Sequence, residues 1–296
     1  MNAITIRPPR RPHSLRLDMN ILELTSVVFG GALLAGLIGS LTGLGGGIII
    51  TPLLTLVLGV DIHYAIGAAL VSVIATSCGA ASAYVREGYS NIRLGMFMEV
   101  ATTTGALIGA ALALRVSTAA IAELFGVVLL YSAAASLWPS VKSTAADTVD
   151  PAATSLELDS SYPTANGITG YHVHHIVGGT SLMLGAGMLS GLLGIGSGAF
   201  KVIAFDKIMR IPFKVSTTTS NFMIGVTAAA SVGLYLQRGY IDPGLGMPVV
   251  IGVLSGSFLG ARVLPGMKTS ALRHVFAIVI AVLAIEMIFH GLKGTI

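Results

Sequence analysis

The stretch GLIGSLTGLGGGIIITP runs from Gly36 to Pro52, and the stretch GMLSGLLGIGSGAFKVI runs from Gly187 to Ile203, 151 positions later. In each stretch, glycines at alternate positions separate a long apolar segment from a short one. Glycine weakens a helix because it loses more backbone freedom on folding than any other residue. In a bilayer, broken helical backbone is tolerated where protein buries it or where it lines a wet cavity. The two stretches therefore predict one broken helix at the same place in each half of the chain.

The offset of 151 positions continues beyond these stretches. The residues that it matches include Thr76 with Thr227, Tyr84 with Tyr235, Gly88 with Gly239, Tyr89 with Tyr240, Gly105 with Gly256 and Gly109 with Gly260. Duplicated membrane units with glycine-interrupted helices are a common architecture of secondary transporters. The sequence therefore predicts two internal repeats.

The composition indicates a membrane protein. Hydrophobic residues make up 54% of the chain and charged residues only 10%, whereas soluble proteins carry about 25% charged residues. The mean hydropathy is +0.85. The net charge of +4 comes from basic residues scattered between apolar segments, which favours membrane-flanking loops over a nucleic-acid-binding surface. We therefore expect the lipid bilayer, and no nucleic acid, as a partner.

The apolar segments predict an all-α polytopic membrane protein. Two segments, Ile48–Val60 and Ala199–Met209, are shorter than the ~20 residues that cross a hydrocarbon core as a helix, and both follow the glycines directly. The longer segments are Ile21–Leu41, Ala65–Val85, Leu94–Leu114, Ile121–Trp138, Ile176–Leu193, Val215–Leu236, Leu245–Val263 and Ala271–Phe289. Each repeat should thus contain four long helices and one short, glycine-broken helix.

The orientation of the repeats depends on the short segments. If each short segment crosses the membrane, every repeat has an odd number of spans and the second repeat is inverted; if the short segments are re-entrant, the repeats are parallel. We favour inverted repeats, with the two glycine breaks facing each other near the middle of the membrane.

The chain divides into four predicted regions. A polar N-terminal tail covers residues 1–20, the first repeat 21–138, an acidic, Ser/Thr-rich linker 139–173, and the second repeat 174–296. Because Pro139–Tyr171 is rich in Ser, Thr, Ala and acidic residues, we expect this linker to be mobile and exposed to solvent.

The glycine breaks are the first candidate binding site. The first turn of a helix has free N–H groups and a partial positive charge, and both favour an anion. The predicted substrate-binding residues of the breaks are Gly45, Gly46, Gly47, Gly196, Ser197 and Gly198. Close helix packing is the alternative role, because several of the glycines also follow the small-xxx-small spacing.

Lys201 and a hydroxyl-rich segment extend this candidate site. A lysine at membrane depth is costly and commonly functional, although Lys201 could instead reach the headgroups. Thr217, Ser220 and Asn221 lie in the run STTTSN, whose hydroxyl and amide groups suit an oxyanion. Their alternative role is to bond to the backbone of their own helix. We expect Lys201, Ser220 and Asn221 to form one side of an anion site. The first repeat has Ile50 where the second has Lys201.

Other ionisable residues give weaker signals. Glu99, Glu123 and Glu286 lie in or near apolar segments, where each could either relay a proton or lie at the membrane surface. The sequence contains no pair of catalytic carboxylates, no Ser-His-Asp order and no HExxH motif. We therefore expect no enzyme, no catalytic residues, no metal site and no cofactor.

At these residues the chain resembles the TauE/SafE sulfite exporter family. The resemblance rests on GLGGGIIITP at Gly43–Pro52, on GIGSG at Gly194–Gly198, and on PFKVSTTTSNF from Pro212. It implies a multi-pass transporter of the bacterial inner (plasma) membrane, with sulfite, sulfoacetate or a related organosulfonate as substrate. It also implies that the glycine runs and the Ser/Thr/Asn segment line the transport path. The chain departs from the family in the second half, where Ser197 interrupts the glycines and Ile203 replaces a proline.

A small anion is therefore the expected substrate of a secondary transporter. An anion channel, or a permease for another small carboxylate or oxyanion, is the alternative. The sequence is also compatible with a homodimer, and it fixes neither the transport direction nor the coupling ion.

Overall fold

The computed structural model describes residues 20–113, 115–137, 150–164, 167–263 and 269–293. The predicted N-terminal tail therefore lies outside the described residues, apart from Asn20. The helices of the first half are α1 (Ile21–Thr42), α2 (Gly47–Pro52), α3 (Ile62–Arg86), α4 (Ile92–Ala113) and α5 (Thr118–Leu137). A π-helical turn, Leu53–Val57, continues α2.

A short helix and a hairpin connect the halves, as α6 (Pro151–Ser155), β1 (Ser160–Thr164) and β2 (Gly167–Tyr171). The second half contains α7 (Ile176–Leu193), α8 (Gly198–Ile203), α9 (Phe213–Gln237), α10 (Pro243–Val263) and α11 (Thr269–Leu292). A second π-helical turn, Ala204–Ile208, continues α8. Many of these bounds lie 151 positions after their counterparts, including both ends of α3 and α9 and both π-helical turns.

Within the described part of the chain, six helices are long and apolar enough to cross a membrane, namely α1, α3, α4, α7, α9 and α10. The prediction of a mostly helical, polytopic membrane protein is thereby confirmed. The helices α5 and α11, which were also predicted to span, have 20 and 24 residues. The small antiparallel hairpin of β1 and β2 was not predicted.

The two halves interlock through their helices. The most extensive contacts pair α1 with α10, α4 with α7, α5 with α11, and α3 with α9. Where α4 crosses α7, Gly109 lies on the Met188 backbone and Gly187 on the Thr102 backbone, without room for a β-carbon. Small residues allow this approach because helices in lipid associate through close packing. Helix packing, the alternative role of such glycines, therefore applies at this crossing.

Residues 150–173, which we call the cap, are folded onto one end of the helices. Ala153, Leu158 and Tyr171 are buried in a cluster that also contains Leu94 and Met98 of α4. The described residues of Pro139–Tyr171 from 150 onward are thus folded and anchored to the helices, while most of their side chains are exposed to solvent as expected. A few apolar anchors suffice to order a segment that is otherwise polar. Residues 138–149 lie outside the described part of the chain.

Polar contacts hold the cap in place. Asn91 Nδ2 donates to the Leu158 carbonyl at 2.9 Å and to Tyr171 Oη at 3.0 Å. Asp150 accepts the N–H of Ala152 at 3.0 Å and that of Ile176 at 3.1 Å, so it links α6 to the start of α7. The bond from Ile176 is the main reason that the pKa of Asp150 lies below its usual value.

We predict opposite effects of alanine at two neighbouring glycines of α7. Gly187→Ala places a methyl group against the Thr102 backbone, and overpacking of this kind costs about 1–3 kcal/mol. Gly185→Ala, which meets nothing within 4 Å, should be neutral or stabilising by up to about 1 kcal/mol. Thermal unfolding in detergent measures both. Equal melting temperatures would contradict the described crossing.

We also predict that Asp150→Ala releases the cap, whereas Asp150→Asn, which keeps the acceptor oxygen, largely preserves it. Because the pKa of Asp150 is lowered on folding, its stabilisation is present above the ordinary aspartate pKa of about 3.9 and is lost as the pH falls through the folded value. Hydrogen exchange of residues 150–164 near neutral pH should be faster in Asp150→Ala only. Unchanged exchange would show that Asp150 does not anchor the cap.

Candidate functional site

The two helix breaks have matching backbone conformations. Helix α1 ends at Gly43 with φ 76° and α7 ends at Gly194 with φ 70°. Two residues later, Gly45 and Gly196 also have positive φ, at 77° and 69°. These left-handed conformations end each helix, and they explain why glycine occupies the positions. The predicted breaks are therefore present in the structure.

The breaks lie against each other. The backbone of Gly198 packs on Gly43 and Leu44 so closely that a β-carbon would collide with them. On the other side, a β-carbon on Gly47 would lie 2.9 Å from the Gly194 carbonyl oxygen. The expectation that the breaks face each other is confirmed by these contacts. The short helices α2 and α8 thus begin side by side inside the protein.

Ser220 and Asn221 of α9 bind the carbonyl end of α1. Ser220 Oγ donates to the Gly43 carbonyl at 2.7 Å and is 3.3 Å from the Gly198 carbonyl. Asn221 Nδ2 donates to the Ser40 carbonyl at 2.7 Å. Both side chains are fully buried, and the Asn221 Oδ1 atom has no hydrogen-bond partner. These donors therefore tie the second-half helix α9 to the first break.

Thr217 takes the role that was given as the alternative for the hydroxyl run. Its Oγ1 donates to the Lys214 carbonyl of the same helix at 2.9 Å. Thr218 does the same at 2.9 Å, and it also bonds to the Tyr89 carbonyl at 2.8 Å. In this conformation the Thr217 hydroxyl bonds to the backbone of its own helix.

Ser197 marks the main local difference between the breaks. Its φ is 54°, whereas Gly46, at the matching position, has φ −66°. The left-handed conformation costs a residue with a side chain about 1–2 kcal/mol. The Ser197 hydroxyl donates to the Gly196 carbonyl at 2.7 Å. Strain of this kind often occurs at functional sites.

Lys201 is buried in an ion pair. It is 0% exposed, and its Nζ donates to Glu99 Oε2 of α4 at 3.3 Å and to the Thr227 hydroxyl of α9. Thr227 donates in turn to Glu99 Oε1, which also accepts the Thr103 hydroxyl at 3.1 Å. Lys201 therefore does not reach the headgroups, and that alternative is wrong. Three helices, α4, α8 and α9, meet at this network.

The matching position in the first half has a different network. Thr76, the counterpart of Thr227, accepts the backbone N–H of Gly46 at 3.2 Å. Ile50 replaces Lys201, and Val250 replaces Glu99 in the second half. The same helical framework therefore carries one charged site rather than two.

The structure brings the predicted site residues together in two groups. The break glycines lie with Ser220 and Asn221, whereas the Lys201 ammonium lies with Glu99 and Thr227. From the sequence, Glu99 could either relay a proton or lie at the membrane surface. In the structure its side chain is buried, with 5% of its surface exposed. One signal was available: Glu99 is the only charged residue of its apolar segment and Lys201 the only one in the run AFKVIAF, and a charge at such a position needs a buried partner.

We predict that removing Lys201 alone destabilises the protein more than removing the charges of both Glu99 and Lys201. Lys201→Met leaves a buried carboxylate without its cation, and breaking a buried pair costs about 3–5 kcal/mol. Adding Glu99→Gln to Lys201→Met removes that charge and should restore most of the stability. Apparent melting temperatures of the purified proteins test the expectation. A double variant that is no more stable than Lys201→Met would refute it.

Comparison with known proteins agrees with this architecture. The family model described as "Sulfite exporter TauE/SafE" matches residues 28–287. The chain is 25% identical over 273 residues to "Probable membrane transporter protein YunE" of Bacillus subtilis strain 168, covering 90% of this chain and 97% of the relative. It is also 25% identical over 276 residues to a "Probable membrane transporter protein" of Xylella fastidiosa strain 9a5c, covering 92% and 98%. No solved structure matches at a significant level.

The family match extends from α1 into α11 and includes both glycine breaks and the Lys201 network. The relatives match over nearly their full length. On this evidence the chain belongs to the TauE/SafE sulfite exporter family of membrane transporters.

Proposed function

We propose that this protein is a secondary transporter that moves a small anion, such as sulfite, sulfoacetate or another organosulfonate, across the bacterial inner membrane. The observation that carries the proposal is the meeting of two broken helices inside an apolar bundle, one of which continues into α8 with the buried Lys201. Discontinuous helices at the interface of two halves are typical of transporter substrate sites. The family name and the relatives' names support transport.

The proposed anion site lies at the start of α8. A helix start supplies roughly half a positive charge, and Lys201, one turn further along α8, supplies a full charge. Ser220 and Asn221 contribute uncharged donors, which in the closed arrangement bind carbonyls of the first break. When the breaks separate, these donors become available to an anion. The present contacts then correspond to a closed site.

Alternating access would follow from the relation between the halves. We propose that they are inverted repeats of one unit. The helix bounds and both π-helical turns, which recur at the same offset, support the repeat itself. The largest contacts support a two-fold relation between the halves, since the first long helix of each half packs on the third long helix of the other. Rocking of the unit that contains α1 and α10 against the unit that contains α4 and α7 would open the breaks to one side of the membrane at a time.

We predict that Lys201→Ala reduces anion uptake at least tenfold. Loss of the ammonium leaves the anion's desolvation uncompensated, and truncating one member of a buried charge pair costs about 2–5 kcal/mol, so a change of tenfold or more is expected. Lys201→Arg should retain part of the activity. Lys293→Ala is the control, because Lys293 is exposed at the end of α11 and lies over the Phe289 ring.

The assay is uptake of labelled sulfite and sulfoacetate by proteoliposomes, with folding checked by size-exclusion chromatography. Accumulation against a gradient supports a transporter, whereas strictly downhill flux indicates an anion channel. Full uptake by a folded Lys201→Ala variant would remove Lys201 from the proposed site.

A further inference from the structure

The Glu99–Lys201 pair raises a charge problem for an anion transporter. The ammonium is 3.3 Å from Glu99 Oε2, and both side chains are buried. The pair is neutral overall, so Lys201 has no unbalanced positive charge to offer. An anion that enters beside an intact pair would leave one uncompensated negative charge. Such a charge is costly in a low-dielectric interior.

Among the described residues of the elements packed on α4, no second charged group lies ready to compensate the anion. Of the helices that pack on α4, α7 has no acidic or basic side chain between Ile176 and Leu193, and α9 has only Lys214, in its first turn. Arg93, at the start of α4 itself, is paired with Glu157 of the cap.

The remaining charged groups lie along α8 and its neighbour α5. Asp206 and Lys207, in the π-helical turn after α8, pair with each other at 3.1 Å. Glu123 of α5, a helix that packs on α8, lies against Gly291 of α11. Glu99 is therefore the described group that is best placed to change the charge beside Lys201.

We propose that Glu99 takes up one proton when a monoanion binds to Lys201, so that anion and proton cross the membrane together. This inference rests on the proposed function. The charges of the site balance in this step. A proton from the aqueous solution adds to the Glu99 carboxylate, and the Lys201 ammonium, no longer paired with Glu99, pairs with the anion. The buried site is neutral before and after the step. A monovalent sulfonate such as methanesulfonate, or bisulfite, satisfies this balance, whereas a dianion such as sulfate or fully ionised sulfoacetate leaves a residual negative charge.

The hydrogen bonds around Glu99 suit such a step. Thr227 contacts both Glu99 and Lys201, so its hydroxyl can accept from a protonated Glu99 or donate to the carboxylate. Its alternative acceptor is the Met223 carbonyl at 3.2 Å. Thr227 thus keeps a partner in both protonation states. The counterpart network at Thr76 contains no titratable side chain.

The direct test is calorimetric titration of the purified full-length protein with methanesulfonate, sulfite and sulfoacetate. Methanesulfonate remains a monoanion across the pH range, so any proton exchange belongs to the protein. Repeating the titration in buffers of different ionisation enthalpy counts the protons taken up. We expect about one proton per methanesulfonate, with affinity that rises by up to about tenfold per pH unit of acidification. Sulfate should bind more weakly.

Glu99→Gln is the matched variant, because the amide has the size of a protonated carboxyl. It should bind methanesulfonate without proton uptake and with little pH dependence, and its melting temperature should rise on anion addition more than that of the wild type. Glu286→Gln, at a partly exposed position on α11, should behave like the wild type. If Glu99→Gln does not fold, the number of protons that the wild type takes up per bound methanesulfonate decides whether the inference holds.

The outcomes separate this inference from the proposed function. Anion binding by the wild type without proton uptake overturns the proton coupling, and proton uptake that persists in Glu99→Gln overturns Glu99 as the proton acceptor. Both results leave anion transport intact. Sulfate binding as tight as methanesulfonate binding overturns the restriction to monoanions. Wild-type protein that binds and transports none of the probes overturns both proposals.

Discussion

Where Gly198 meets Gly43 and Leu44, two helix ends approach so closely that no β-carbon fits between them. The rest of the central structure depends on this contact. It requires left-handed glycines to end α1 and α7, and it leaves carbonyls of α1 that need donors. Ser220 and Asn221 of α9 supply those donors. A break in one half is thus completed by a helix of the other half.

The halves share a framework but differ in chemistry. Tyr84 bonds to the Ser40 carbonyl, and its counterpart Tyr235 bonds to the carbonyl of Gly191, so this tie between helices is common to both halves. Of the two counterpart networks, only the one formed by Glu99, Lys201 and Thr227 contains charged side chains. A shared framework can open and close in a related way in each half, while a single charged site selects one substrate at a time.

Local sequence patterns predicted most of the helices. The glycines, the two short segments and the apolar lengths anticipated α1 to α5 and α7 to α11, because helix breaks and span lengths depend on neighbouring residues. The cap could not be predicted in this way. Its order comes from Asn91, Asp150 and a few buried apolar side chains, whose contacts join distant parts of the sequence. The pairing of Glu99 with Lys201 has the same origin.

The central claim is that an anion binds between the separated breaks, at Lys201 and the start of α8. A structure of the protein in lipid nanodiscs, determined with bound methanesulfonate, tests it most directly. We expect the sulfonate within hydrogen-bond distance of Lys201 Nζ and of the α8 backbone, with Ser220 or Asn221 turned away from the first break. A sulfonate bound elsewhere, with the breaks still in contact and the Glu99–Lys201 pair intact, would contradict the account.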